Sequence, residues 1–167
     1  MEFTCEHHFK ATVDQVLAMY RDPEYIPSKY RELGLRDIEI VSRTVDDKHF
    51  QVLCRFKRKS SIEVPKMAHK FIGSADWVQA QQTDRWDIAS RSGRLDVVIE
   101  PLKSITSIRC QMQLEATPTG AVNRMRWTVD CSVPLIGGTL AKFIAQDIQR
   151  KSEQDGLVAQ QLLAARS

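Results

Sequence analysis

A chain of 167 residues, 43% hydrophobic and 27% charged, has the length and balance of one globular domain, residues 1–167, with enough chain to bury a core. Its formal net charge of +3 is too small to predict a nucleic-acid partner. No apolar run approaches the roughly 20 residues of a membrane-spanning helix. The opening Met1–Glu6 also lacks the basic-then-apolar order of a secretory leader, which predicts a cytoplasmic protein.

The first strand is read from Phe3, Cys5, His7 and Phe9 alternating with Thr4, Glu6, His8 and Lys10. Thr12 then caps a short helix bearing Val16, Leu17, Met19 and Tyr20, with Gln15 placed for a Thr-x-x-Gln capping box. A second short helix, about Pro23 to Leu33, should end at Gly34. Strand two covers about Leu35 to Val45. Asp46-Asp47 turns the chain into strand three, Lys48 to Arg58, with Phe50, Val52, Cys54 and Phe56 on one side.

Ser60 to Gly73 breaks the alternation, mixing Ile62, Val64, Met67, Phe71 and Ile72 with Lys66, His69 and Lys70. Trp77 to about Ala89 is strand four, Ser92-Gly93 a turn, and Arg94 to Glu100 strand five. In strand six Ile108, Cys110, Met112 and Leu114 share one phase; after Thr119-Gly120, strand seven puts Met125, Trp127, Val129 and Cys131 on one side. Past Ile136-Gly137-Gly138 the apolar period changes from two to about 3.6, the mark of one long helix. The fold class is therefore α+β: a seven-stranded antiparallel sheet, two short helices after strand one, and a sheet curved around a long C-terminal helix with a space between them.

Three segments carry a resemblance. They are F-x-x-x-x-x-F-x-A-T-V-D-x-V from Phe3, V-P-K-M-A-H-K-F-I-G from Val64, and V-P-L-I-G-G-x-L-A-K-F-I from Val133. With the element order, they resemble the START-like (SRPBCC, birch-pollen-allergen) superfamily of helix-grip folds, and within it an uncharacterised bacterial family. The resemblance implies a cavity between sheet and helix. Members of the superfamily bind lipids, sterols, polyketides, quinones or plant hormones there; some are cyclases and others act by protein contact.

The expected partner is accordingly a small apolar molecule, with no cofactor. Candidate lining residues are Cys54, Phe56, Trp86, Met112, Trp127, Phe143 and Ile144, with His7, Asp147 and Lys151 as polar anchors. The final helix carries Leu140, Phe143, Ile144, Asp147, Ile148, Lys151, Asp155, Val158 and Leu162 on one stripe. Asp147 and Lys151 form an i, i+4 pair. Either they flank the stripe in solvent, as the cost of burying charge favours, or they face the cavity. His7 shares the phase of Cys5 and Phe9 and reads as a core histidine, or as a ligand contact or acid/base. Gly156 inside the helix marks a bend or a close approach.

Four scattered cysteines, all on apolar phases, read as core thiols, and no metal-ligand spacing exists. The 62–72 loop is either an amphipathic helix packing Met67, Phe71 and Ile72 on the sheet edge or a lid that meets an anionic membrane surface transiently. Arg55, Lys57, Arg109, Arg124 and Arg126 share solvent phases and read as a solvated face rather than a phosphate stripe. Besides a carrier or sensor, two other classes stay open. One is an enzyme on an aromatic or polyketide-like substrate using His7 or Asp147; the other is an interaction module with a filled core.

Overall fold

The computed structural model describes residues 1–73 and 76–166. Its strands are β1 (Glu2–Phe9), β2 (Arg36–Val45), β3 (His49–Lys59), β4 (Trp77–Asp87), β5 (Ser92–Ile99), β6 (Thr106–Thr117) and β7 (Gly120–Cys131). They form one antiparallel sheet in the order β1-β7-β6-β5-β4-β3-β2. The helices are α1 (Val13–Arg21), α2 (Tyr25–Glu32), the single turn α3 (His69–Ile72) and α4 (Gly137–Ala165). Because β1 and β2 are the two sheet edges, α1 and α2 bridge from one edge to the other.

Local chemistry sets these elements. The Gln15 amide donates to Thr12 Oγ1 (3.2 Å) while the Thr12 amide donates to Gln15 Oε1 (2.9 Å). This reciprocal box satisfies two otherwise orphaned donors and is worth about 1 kcal/mol. Gly34, at φ 75°, takes the left-handed position that stops α2. On β3 and β6 the expected phases are the buried ones: Phe50, Val52, Cys54 and Phe56, then Ile108, Cys110, Met112 and Leu114. Of the cysteines, Cys54 and Cys110 are buried and Cys5 and Cys131 half-buried, all as free thiols.

The structure differs from the sequence reading at the β4–β5 reversal and at Met67, and it adds irregularity to β2. Ser92 and Gly93 are not a turn but the first residues of β5, paired with Asp87 and Trp86. The reversal falls at 88–91, with Arg91 at φ 56°. Gly93 is needed there for proximity: a Cβ on it would come within 2.7 Å of the Trp86 indole. Strand β2 is an exposed edge whose pairing shifts between Arg36 and Glu39 and between Ile40 and Ser42, irregularities of the kind that blunt an edge against further pairing. In the 62–72 segment, Met67 is exposed; Ala68 is fully buried, and Phe71 and Ile72 pack against the core.

The solvent face of the sheet is charge-balanced. Arg55 pairs with Glu39 (3.4 Å), Lys57 with Asp37 (3.1 Å), Arg109 with Asp130 (3.3 Å), and Arg124 with both Glu115 (2.8 Å) and Glu6. Among the described residues, no helix is long and apolar enough to cross a membrane.

Candidate functional site: a cavity between sheet and helix

Helix α4 lies over β1 and β7 and touches α2, so the inner faces of β3, β4 and β5 look into open space. That space is a cavity of about 850 Å³. Its apolar wall is built from Phe50, Val52 and Phe56 on β3, Ala80 and Trp86 on β4, Leu95 and Val97 on β5, Ile108 and Met112 on β6, and Met125 and Trp127 on β7. Phe143, Ile144 and Ile148 close it from α4. An interior that packed to ordinary density would leave no such volume.

The end under α1 and α2 is polar. Asn123, 2% exposed, donates from Nδ2 to the Tyr20 hydroxyl (3.3 Å), while its Oδ1 has no partner. Tyr20 packs against both Tyr25 and Trp86 with ring centroids 5.3 Å apart. Asp84 enters this end from β4, held by the Gln82 side-chain amide of its own strand (2.9 Å). Burial pushes the Asp84 carboxyl pKa up and Asp155 adds to the rise, with Lys29 and Gln82 offsetting only part. Asp155 reaches the same space from α4, and its Oδ1 is buried without a hydrogen bond.

His7 crosses from β1 to α4. Its Nε2 lies 2.9 Å from both the carbonyl oxygen and the hydroxyl of Ser152. A carbonyl only accepts, so Nε2 carries the proton in that bond. Burial, with Lys29 nearby, lowers the imidazole pKa and favours the neutral ring.

At the opposite end, the 60–73 segment forms part of the wall through Ser60, Ile62, Val64, Pro65 and Ile72. It is tied to α4 by Asp147, whose Oδ1 accepts from the Ser61 amide and hydroxyl (2.6 Å each). The other carboxylate oxygen of Asp147 accepts from Lys151 Nζ (2.5 Å). These two side chains are only 15% and 14% exposed and line the cavity, so the charges do not flank the helix stripe in solvent. Burial alone would raise the Asp147 pKa, but Lys151 and the Ser61 hydrogen bonds outweigh it and hold the carboxyl below its usual range. Burial and the like charge of Arg58 push Lys151 down to about 8, against Asp147 and Asp155.

Of the residues chosen from the sequence, His7, Phe56, Trp86, Met112, Trp127, Phe143, Ile144, Asp147 and Lys151 all border the cavity. Cys54 does not: it is 1% exposed and close to Tyr30, whose ring sits 4.8 Å from that of Phe56, so α2 covers this part of β3. Sequence reasoning passed over Asn123, Asp84, Gln82, Arg58 and Lys29, all on the wall. For the strand residues a signal existed. Asn123 shares the phase of Met125, Asp84 that of Trp86, and Arg58 that of Phe56, so each is a polar residue on an apolar phase.

A sheet curled about a long helix, with ligand-sized space between, is the helix-grip fold. Solved structures with this fold include TTHA0849 from Thermus thermophilus, 17% identical with a TM-score of 0.68 over 100% of this chain and 99% of that one. Ara h 8.0201 is 12% identical with a TM-score of 0.63, over 99% and 98% of the two chains. The di-domain ARO/CYC BexL from the BE-7585A biosynthetic pathway is 10% identical with a TM-score of 0.66, over 98% of this chain and 50% of that one. The chain itself belongs to the family described as Protein of unknown function (DUF2505), whose model matches residues 4–163. No curated protein matches it significantly.

Proposed function

We propose that the protein binds a small, largely apolar molecule between sheet and helix, as a carrier or sensor. One observation carries this reading: a cavity of about 850 Å³ with aromatic and aliphatic walls, bordered by four residues that each bury a polar atom without a hydrogen-bond partner. The atoms are Arg58 Nε, Asn123 Oδ1, Trp127 Nε1 and Asp155 Oδ1. Buried polar groups are normally satisfied, so a mixed set of unmet donors and acceptors around an apolar space suits a ligand with a few polar atoms. Phe56, Trp86, Met112, Trp127, Phe143 and Ile144 supply its apolar contacts. The 60–73 segment, latched to α4 through Asp147, is the gate. Lys66 and Lys70 on it would favour transient contact with an anionic membrane surface by about 1 kcal/mol each.

Native mass spectrometry of freshly purified protein, followed by denaturation and identification of what is released, tests the reading. A stoichiometric small molecule supports it. A clean apo mass, together with no change in Trp86 and Trp127 fluorescence across a panel of apolar probes, overturns it.

Asp84 favours a second reading. A carboxyl whose pKa burial raises, within reach of an apolar cavity, is placed to give a proton to an aromatic or polyketide-like substrate. His7 and Asp147 fit that role less well, since Ser152 and the Ser61–Lys151 contacts already engage them. Likeness to an ARO/CYC structure adds to this reading. Turnover that disappears in Asp84→Asn while ligand binding persists would establish it.

A further inference from the structure

Arg58 is the last inward residue of β3 before the gate segment, following Phe50, Val52, Cys54 and Phe56 on the same phase. Its Nε is buried without a hydrogen bond, and among the described residues no carboxylate lies within ion-pair distance of the guanidinium. Asp147, across the cavity end on α4, is already committed to Ser61 and Lys151. Glu63 and Asp76 also border the cavity, and neither pairs with Arg58. Arg58 is half-buried, and a guanidinium stays charged, so its buried Nε keeps an unmet demand for an acceptor that an anion would supply.

The opposite end carries the opposite sign. Asp84 and Asp155 face the cavity there with Lys29 as the nearby cation. Asp84 lies opposite Val52 in the β3–β4 register, and Arg58 lies further along the same strand opposite Val78. At the usual rise per residue the two ends are roughly 20 Å apart. Between them on β4 the wall runs through Gln82 and then the apolar Ala80 and Val78.

Resting on the ligand-binding reading above, we propose that the ligand is an amphiphilic carboxylate, seated with its anionic head on Arg58 beside the gate and its apolar body reaching toward Asn123. The Asp155 carboxylate at the far end, its Oδ1 buried without a donor, disfavours the reverse orientation, so the molecule enters body first. The planar guanidinium takes a carboxylate by two parallel N–H···O bonds.

Matched ligands that differ only at the head test the assignment: dodecanoic acid, dodecanol and dodecylamine, and 2-naphthoic acid with 2-naphthol, titrated by calorimetry at pH 7. The acid of at least one pair should bind about tenfold or more tighter than its alcohol, as a charge-assisted hydrogen bond predicts. The pair that shows the preference distinguishes a chain from a ring as the body. Arg58→Gln should remove the preference by lowering acid affinity about tenfold more than alcohol affinity, and Arg58→Lys should restore part of it. Alcohols binding as tightly as acids to the unaltered protein would overturn the head-group assignment and leave the cavity reading standing. An acid preference that survives in folded Arg58→Gln would also overturn it. No binding by any member of either series would overturn both.

Discussion

Gly156 on α4 lies directly against the His7 ring of β1: a Cβ at this position would come within 2.9 Å of the imidazole Cδ2. A glycine in the middle of a helix ordinarily costs about 1 kcal/mol relative to alanine. Here it makes room for a ring whose Nε2 is anchored to Ser152 on the same helix. Gly156→Ala should therefore destabilise the fold by about 1–3 kcal/mol, as overpacking does, instead of stabilising it. Urea unfolding of Gly156→Ala, His7→Ala and the double variant checks this. The coupling should appear as a smaller alanine penalty when the imidazole is gone, and equal penalties in both backgrounds would exclude the steric account.

Asp147 holds the 60–73 segment to α4 through the Ser61 amide and hydroxyl while neutralising Lys151. Replacing it by alanine leaves a largely buried ammonium unpaired and frees the loop. A stability loss of about 1–3 kcal/mol is expected, below the value for a fully buried pair because some solvent reaches both side chains. Hydrogen exchange should accelerate at the Ser61 and Ile62 amides before it does in the β6–β7 pair. Exchange that accelerates uniformly would mean that Asp147 stabilises the whole fold and does not act as a latch.

Ala80 is a small residue on the cavity wall, 4% exposed, opposite Phe56 in the β3–β4 register. Ala80→Phe projects a ring into empty space instead of into packed neighbours, so the usual overpacking penalty of about 1–3 kcal/mol should be absent. We expect an unchanged or higher Tm and at least a tenfold loss of affinity for apolar probes read by tryptophan fluorescence. Retained affinity would place the ligand outside this cavity.

The pH dependence follows from opposing shifts. Burial raises the pKa of Asp84, so the folded state holds its proton to higher pH than the unfolded chain. This group's contribution is fully present below the unfolded carboxylate pKa and is lost as pH rises through the folded value. Asp84→Asn keeps the acceptor for Gln82 and removes the charge, so it should raise Tm at pH 7 and flatten the decline in Tm as pH rises above the ordinary carboxylate pKa. Lys151 is shifted the other way for a base, down to about 8. Between that value and its ordinary one the unfolded chain binds more protons, so this group makes stability rise with pH there, and Lys151→Met should abolish that rise. Asp147, held below its usual range, contributes stability that is lost only as pH falls through its depressed folded pKa.

Strand and helix order, the capping box at Thr12, the stop at Gly34 and the buried phases of β3, β6 and β7 were legible in the chain itself. Each depends on contacts within a few residues or on a period of two or 3.6, which a sequence displays directly. Even the fold class followed, since a one-faced antiparallel sheet and one long amphipathic helix must cover each other. What required the tertiary structure was everything set by distance between elements. The placement of α4 over β1 and β7, and not over β4 and β5, decides that the interior is left open. It also decides that Asp147 and Lys151 meet the cavity, while the packing of α2 covers Cys54 and the β4–β5 register sets Gly93 against the Trp86 ring. Arg58, Asp84 and Asn123 fall between the two kinds of information. Their inward direction is written in the strand alternation. How far the protein satisfies them depends on what packs opposite, and that is a property of the closed fold alone.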